Sequence, residues 1–236
     1  MPPFAAADLQ ALPLFAGLSL GQCSLLLDRH RESRLAADQV FVLEQDWGES
    51  LFLLRAGMAK VRTFTADGDE VVLSVLGEGE VFGEMAALAG AARAADVVAL
   101  TPVTLLKLRG APLAALLRQE VGFALALARL EASRLRDLNQ RFALQSSDAT
   151  SRLLAALAYL ARRSSLADDP QAPIPPLAQR ELGLLAGLSR ETTSRTLSKL
   201  RSRGTVAEEH GNLRIADLQP LIKRGLLADG RETPAR

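Results

Sequence analysis

The spacing of hydrophobic residues follows three successive regimes along the chain. Residues 8–30 carry Leu and Phe at helical spacing, which predicts short helices. From about Val40 to Leu108, short apolar runs alternate with turns rich in Gly and Asp, a pattern typical of an all-β sandwich or barrel. Asp67-Gly68 predicts a hairpin turn between two of these runs, because glycine accepts the positive φ that such turns require. Between Pro112 and about Gln145, the pattern predicts one long helix.

The second half of this long helix has two apolar faces. Leu135, Leu138 and Phe142 follow the 3–4 spacing of a coiled-coil seam, whereas Leu127 and Leu130 are expected to pack against the β region. The spacing is compatible with a dimerisation helix over residues 117–147, and most of the support for it comes from the family resemblance described below. The alternative is an ordinary amphipathic helix buried in its own domain.

A polar stretch separates this helix from the rest of the chain. Residues 145–148 predict a hinge, with Ser147 or Asp148 as the N-cap of a helix that reaches about Arg163. A Pro-rich connection follows, and then two short helical patterns. The first ends at Gly187, which can take the left-handed conformation that turns the chain. Ser189 is placed to cap the second.

The second short helix runs to Gly204, and a segment around a Gly-Asn turn after it is expected to form a wing. Helix, short turn and helix are the arrangement of a helix-turn-helix. One side of the second helix is predicted to pack into the domain through Thr196, Leu197 and Leu200, together with Val206 just beyond the end of the helix.

The opposite side of this helix is polar near its N-terminus, the part of such a helix that enters the major groove of DNA. Arginine can donate two hydrogen bonds to guanine, and glutamate can accept one from cytosine. The alternative is a solvated face with an ion pair between Glu191 and Arg195. The candidate DNA-binding residues are Arg190, Glu191, Ser194, Arg195, Ser189 and Thr192.

The stretch LSRETTSRTLSKL resembles the recognition helix of the CRP/FNR family of transcription regulators. Arg190, Glu191 and Arg195 match the CRP-type base-reading triple, and Glu191, Ser194 and Arg195 also satisfy the FNR-type pattern. The resemblance implies a palindromic site whose half-sites share a TGA core. Both codes fit, so TGTGA-like and TTGAT-like half-sites stay open.

Residues 75–100 resemble the phosphate-binding cassette of cyclic-nucleotide-binding domains. The resemblance implies a short helix after Gly83 whose backbone N–H groups face an anion. It also implies that Arg93 pairs with a cyclic phosphate, that Glu84 accepts the ribose 2′-hydroxyl, and that the backbone at Ala94 approaches the ligand. The candidate effector-binding residues are Gly83, Glu84, Met85, Arg93, Ala94 and Asn139.

One departure bears on the ligand. Leu138 and Asn139 stand about where the CRP-type protein offers a Thr-Ser pair to adenine, so recognition by that pair is absent. The alternatives are a cyclic nucleotide such as cAMP, another small ligand, or ligand-independent action. In the last case, Glu84 and Arg93 would form an internal ion pair.

Composition and charge narrow the classes of protein to which the chain can belong. A single cysteine excludes a disulfide within the chain and a cysteine-ligated iron–sulfur cluster built by one chain. Residues 1–147 hold 14 Lys and Arg against 17 Asp and Glu, and the rest holds 14 against 10, a basic C-terminal part that suits nucleic acid. The sequence shows no signal peptide and no run of about 18 apolar residues, so no membrane partner is expected and the cytoplasm is the default.

These patterns, together with what the two resemblances imply, predict an α+β fold with three parts. They are an effector-sensing, cyclic-nucleotide-binding-like jelly-roll (double-stranded β-helix) with N-terminal helices at 1–116, the long helix at 117–147, and a winged helix-turn-helix at 148–236. A homodimer on double-stranded DNA is expected, with RNA polymerase as a further partner of an activator. No catalytic constellation is visible, so an enzyme is not expected. The competing class, a cyclic-nucleotide-responsive enzyme or channel module, would need a further segment.

Overall fold

The computed structural model describes residues 3–228 of the chain. These residues form two compact units. The first comprises the residues up to Thr63 together with Leu73–Leu138, and the second comprises Phe64–Val72 together with the chain from Asn139 onward. Residues 229–236 of the predicted C-terminal domain lie outside the described residues. The mixed α and β fold confirms the predicted class.

The β region consists of two four-stranded sheets preceded by two short helices. The helices are α1 (Ala6–Gln10) and α2 (Leu20–Leu27). The strands are β1 (Arg31–Leu35), β2 (Val40–Val42), β3 (Leu51–Ala56), β4 (Ala59–Phe64), β5 (Glu70–Leu76), β6 (Val81–Phe82), β7 (Asp96–Ala99) and β8 (Val103–Leu108). The sheet orders are β1-β8-β3-β6 and β2-β7-β4-β5. A short helix, α3 (Glu84–Ala89), interrupts the strands after β6.

Strand β3 shows how the sequence builds two cores. Its side chains alternate between faces, as the period of a strand requires. Leu51 and Leu53 belong to a core shared with α1 and α2, whereas Leu54 belongs to the core between the two sheets. All three are at most 1% exposed. Apolar residues at consecutive positions therefore mark a strand that is covered on both faces.

The segment predicted as one long helix is broken in two. The two helices are α4 (Gly110–Gln119) and α5 (Val121–Ala143), which meet at an angle of 111°. Glu120, between them, has an extended backbone, with φ −112° and ψ 92°. Leu116 of α4 and Phe123 of α5 are both buried in the first core, and the Phe123 ring lies 5.7 Å from the Phe15 ring. The prediction of a continuous helix from Pro112 was wrong because both segments bury side chains in one core.

The second unit contains a helix-turn-helix and a wing. Its helices are α6 (Ala149–Arg163), α7 (Gln179–Ala186), α8 (Arg190–Ser202) and α9 (Gln219–Ile222), and its wing strands are β9 (Val206–Glu209) and β10 (Asn212–Ile215). Asp148 caps α6 as predicted, and hydrogen bonds from Ser151 and Thr150 lower the pKa of its carboxyl group. The wing turn lies at His210-Gly211, where both residues have positive φ, and not at the predicted Gly-Asn pair.

The turn between α7 and α8 forms as the sequence predicted. Gly187 ends α7 in the left-handed conformation, with φ +63°. The Ser189 hydroxyl oxygen accepts a hydrogen bond from the backbone N–H of Thr192, so Ser189 is the N-cap of α8. Gly183 of α7 lets the turn approach closely, because a Cβ atom at this position would lie 2.9 Å from the carbonyl oxygen of Leu188.

Gly183→Ala should therefore destabilise the second unit. The added methyl group would also lie 3.0 Å from Thr193 Oγ1, and the backbone of the turn has to move to relieve the overlap. We expect a loss of about 1–3 kcal/mol in the free energy of unfolding, the usual range for an overpacked site. Chemical denaturation of the full chain measures it, with Gly122→Ala as the control, because a Cβ atom there meets nothing within 4 Å. Equal stability of the two variants would show that the added methyl group at Gly183 causes no steric overlap that matters.

Candidate functional site

The N-terminal turns of α8 present the predicted DNA-reading side chains to solvent. Arg190, Glu191 and Arg195 are exposed, and Ser194 is half-buried beside them. The rest of the helix packs inward through Thr193, Thr196, Leu197 and Leu200, which are at most 8% exposed. Thr193 was missed by the sequence reasoning. It is fully buried, and its hydroxyl donates a hydrogen bond to the carbonyl oxygen of Ser189.

The remaining two candidates hold the start of the helix. Thr192 is half-buried, and its hydroxyl oxygen accepts a hydrogen bond from the exposed Ser189 hydroxyl at 3.0 Å. Both side chains are thus engaged in the cap. We expect these two side chains to position the start of α8.

Ion pairs distinguish the two ends of this surface. At the C-terminal end, Arg201 pairs with Glu208 of the wing at 2.6 Å. At the N-terminal end, Glu191 and Arg195 form no ion pair with each other or with another residue in the range 3–228. The alternative interpretation, a surface face held by an internal Glu191–Arg195 pair, is therefore not what the structure shows. The charged side chains at the N-terminal end of α8 are therefore available to an external partner.

A cavity of about 410 Å³ lies within the first unit. It collects five of the six predicted effector residues: Gly83, Glu84, Met85, Arg93 and Ala94. Asn139 is not among the residues that line it. The other lining residues come from the sheets and from α5: Val42, Val61, Leu73, Ser74, Leu76, Phe82, Ala86, Ala95, Val97, Glu131, Arg134, Leu135 and Leu138.

Arg93 is held by the backbone around it. Its Nη1 donates a hydrogen bond to the carbonyl oxygen of Gly83 at 2.8 Å, and its Nη2 donates one to that of Ser50 at 2.7 Å. Burial lowers the pKa of its guanidinium group, and the nearby carboxylates of Glu84 and Asp46 oppose this shift. A guanidinium has five N–H donors, so these two bonds fix the fork and leave donor capacity for an anion.

Glu84 is buried at the start of α3 and is only 4% exposed. Its Oε1 accepts a hydrogen bond from Nη1 of Arg134 at 3.1 Å, and the same nitrogen donates to Glu131 Oε1 at 2.9 Å. Burial raises the pKa of the Glu84 carboxyl group, Arg134 opposes the rise, and the Glu131 carboxylate adds to it. Glu84 Oε2 is buried and has no hydrogen-bond partner among residues 3–228.

The ionic partner of Glu84 is therefore Arg134 and not Arg93, so the internal Glu84–Arg93 pair of the ligand-independent alternative does not form. Arg134 also donates a hydrogen bond to the carbonyl oxygen of Val81, within the cassette. Sequence reasoning missed both Arg134 and Glu131. The available signal was their spacing with Leu135 and Leu138, since residues at i, i+3, i+4 and i+7 share one helix face.

Helix α5 also carries apolar side chains that the described chain leaves uncovered. The predicted dimer residues are exposed to different degrees: 58% for Leu135, 41% for Leu138 and 70% for Phe142. Val121 and Leu125 are exposed on the same helix. Leu127, by contrast, is buried, as expected for a residue packed against the β region.

Among residues 3–228, no single helix is long and apolar enough to cross a membrane. The bent pair formed by Gly110–Gln119 and Val121–Ser146 meets the criterion of length and composition only when its two parts are taken together.

Comparison with known families assigns both parts of the chain. The model of the cyclic nucleotide-binding domain matches residues 32–120, and that of the Crp-like helix-turn-helix domain matches residues 151–224. A domain of the first kind and a helix-turn-helix on one chain define a DNA-binding transcription regulator with a sensor-type domain. The chain belongs to the CRP/FNR family.

Individual relatives agree with this assignment. The cyclic AMP receptor protein of Thermus thermophilus is 32% identical over 206 residues, which cover 87% of this chain and 93% of that protein. The CRP-like cAMP-activated global transcriptional regulator of Mycobacterium tuberculosis is 27% identical over 183 residues, 77% of this chain and 82% of that protein. The structure of FixK2 from Bradyrhizobium japonicum has the same fold, with a TM-score of 0.72 at 22% identity over 85% of this chain and 98% of that chain.

Proposed function

We propose that the protein binds a palindromic DNA site as a homodimer, with α8 of each subunit in the major groove. The exposed and unpaired Arg190, Glu191 and Arg195 at the start of α8 carry this proposal. The buried opposite side of the helix and the capped turn fix their orientation. Two such helices related by a two-fold axis would read half-sites about 34 Å apart.

The uncovered apolar residues of α5 support the homodimer. Exposed Leu135 and Phe142 lie seven residues apart, which is the heptad spacing of a coiled-coil seam. Pairing of two α5 helices would remove these side chains from water.

A cyclic nucleotide in the cavity of the first unit is the proposed effector. The relatives from Thermus thermophilus and Mycobacterium tuberculosis are named for cAMP, and the matching domain model covers the cassette. Arg93 would donate hydrogen bonds to the cyclic phosphate, near the backbone of Ala94. The unpartnered Oε2 of Glu84 would accept the ribose 2′-hydroxyl.

Regulation would follow from the contact that Arg134 makes with Glu84. A ligand that bonds to Glu84 changes the surroundings of a residue held by α5, the helix proposed to form the dimer. The effector can favour the DNA-binding state only to the extent that it binds that state more tightly.

Arg195→Ala is expected to weaken binding to a specific duplex by about 1–3 kcal/mol and to relax base choice at the contacted position. The duplex is selected from a random pool by the wild-type protein, so the choice between TGTGA-like and TTGAT-like half-sites is left to the experiment. Fluorescence anisotropy then compares this duplex with a random one.

Lys199→Ala, on the exposed C-terminal part of α8, is the matched control. This substitution should weaken binding to the specific and the random duplex by a similar small factor, as the loss of a phosphate contact does. If Arg195→Ala behaves in the same way, with equal losses on the specific and random duplexes, Arg195 does not read bases and the proposed orientation of α8 fails.

A further inference from the structure

One stripe along α5 is left exposed by the described part of the chain, from the start of the helix to its end. The steps between its residues are alternately four and three positions, which is the core spacing of a coiled coil. Phe123 and Leu127, on another side of the helix, are buried. The exposed residues of the stripe are Val121, Leu125, Ala128, Ala132, Leu135, Asn139 and Phe142.

The order of the two steps assigns each of these residues to a core position of the heptad. A step of three leads from position a to position d, and a step of four leads from d to the next a. The stripe runs from residue 121 to residue 142, about 30 Å of helix axis at 1.5 Å per residue. The d positions are held by Val121, Ala128, Leu135 and Phe142, and the a positions by Leu125, Ala132 and Asn139.

A second copy of α5 is the partner that fits this stripe. Side chains at a and d of one helix insert between those of a neighbour with the same spacing, so the pattern is complementary to itself. Ala128 and Ala132 are small and let two such helices approach closely in the middle of the stripe. Every residue of the stripe is apolar except Asn139.

An asparagine at position a distinguishes between the possible alignments of two such helices. Pairing removes its amide from water, and a buried amide without a hydrogen-bond partner is costly. The amide oxygen accepts and the amide nitrogen donates, so the same group on a second helix is a suitable partner. The two amides meet only if the helices are parallel and in register. A slip of one heptad would place Asn139 opposite Ala132, whose methyl group offers no hydrogen bond.

We propose that Asn139 sets the parallel, in-register alignment of the dimer by hydrogen bonding to Asn139 of the second copy. The inference rests on the proposed homodimer and concerns what aligns its two subunits. Asn139, which the sequence indicated for the effector site, does not line the cavity, whereas its neighbour Leu138 does. A slip of one heptad would displace one subunit by about 10 Å and remove the two-fold axis that a palindromic site requires.

Disulfide trapping measures the register in the full chain. Ala128→Cys places a thiol at a d position, and two such thiols can join only when their Cα atoms lie within about 7 Å of each other. Parallel helices in register meet this condition, whereas a slip of one heptad adds about 10 Å along the axis. Cys23 is fully buried and does not compete. We expect Ala128→Cys to form a cross-linked dimer under mild oxidation.

Asn139→Leu removes the amide and makes the stripe entirely apolar. Several registers then bury the seam to a similar extent, so the initial rate of cross-linking through Ala128→Cys should fall to about half or less. Sedimentation equilibrium should show association at least as tight as before, because a leucine replaces an amide at an apolar seam.

Two substitutions at Ala132, the a position one heptad before Asn139, complete the test. Ala132→Asn, added to Asn139→Leu, moves the amide along the stripe and should restore the rate of cross-linking. Ala132→Leu alone is the matched control, because it adds the same apolar side chain to the seam and keeps Asn139. It should leave the rate of cross-linking unchanged.

The outcomes separate this inference from the proposed homodimer. Unchanged cross-linking in Asn139→Leu, no recovery with Ala132→Asn, or loss of the dimer in Asn139→Leu overturns the inference and leaves the homodimer in place. A dimer that does not cross-link through Ala128→Cys overturns it as well, since its helices are then not in register. A monomeric wild type overturns both the inference and the homodimer, whereas the DNA titration of Arg195→Ala stands independently. Slower cross-linking in Asn139→Leu, restored by Ala132→Asn, supports the proposal.

Discussion

Phe142→Asp should convert the proposed dimer to a monomer and weaken binding to a palindromic duplex by about a hundredfold or more. Phe142 is 70% exposed on α5, so an aspartate there disturbs no core of its own subunit. In the proposed dimer it would place two carboxylates at an apolar seam. A monomer then engages one half-site, and the gain of roughly 10² to 10⁴ from binding two linked sites is lost.

Sedimentation equilibrium measures the mass, and anisotropy measures binding to a palindrome and to a single half-site. Half-site binding by Phe142→Asp should stay close to that of the wild type, because α8 is unchanged. Leu166→Asp is the matched control, since Leu166 is 74% exposed in the loop that follows α6. A dimeric Phe142→Asp protein, or one that loses affinity equally for both duplexes, would show that α5 is not the seam.

The helix-turn-helix could be predicted because its signals are local. Gly187 ends α7 through its own backbone freedom, and Ser189 caps α8 through a hydrogen bond to a residue three positions away. The wing shows the limit of this reasoning. Its turn is set by the pairing of Glu209 with Asn212, which leaves His210 and Gly211 as the two loop residues and places His210 at positive φ.

The break between α4 and α5 could not be predicted from the sequence around it. The residue at the break is Glu120, which is neither a glycine nor a proline, and the helical spacing of apolar residues continues on both sides of it. The break is explained by contacts distant in sequence. Gln22 donates a hydrogen bond to the Glu120 carboxylate at 2.6 Å, and Phe15 packs against Phe123. Tertiary packing here overrides the local preference for a continuous helix.

The residues of the candidate effector site also fall into two groups: those that a local motif indicates and those that only the folded chain brings together. The cassette motif led to Glu84 and Arg93 because these residues lie within ten positions of each other. Arg134 is 50 positions from Glu84, and no motif connects the two. The motif therefore led to two residues that line the cavity, whereas the charge that balances Glu84 became visible only in the folded chain.

Arg134→Ala should destabilise the first unit by about 3 kcal/mol at neutral pH, since it leaves a buried carboxylate without its partner. The side chains of Glu84 and Arg134 are only 5% and 16% exposed, so water can replace little of the lost interaction. Arg136→Ala is the control on the same helix, because Arg136 is exposed. Adding Glu84→Gln to Arg134→Ala should restore most of the lost stability, since the unpaired charge is then absent.

The destabilisation by Arg134→Ala should depend on pH in a defined direction. Burial already raises the pKa of Glu84 above its ordinary value of 4.5, and removing Arg134 raises it further. The folded variant then holds a proton that the unfolded chain releases, so its stability falls as pH rises. Near about pH 4 the carboxyl group is largely protonated in both states, and the variant should approach the wild type there. Denaturation curves across this range measure the difference in free energy of unfolding between the wild type and the variant. A difference that does not grow toward neutral pH would show that Arg134 stabilises the unit through packing alone and does not neutralise Glu84.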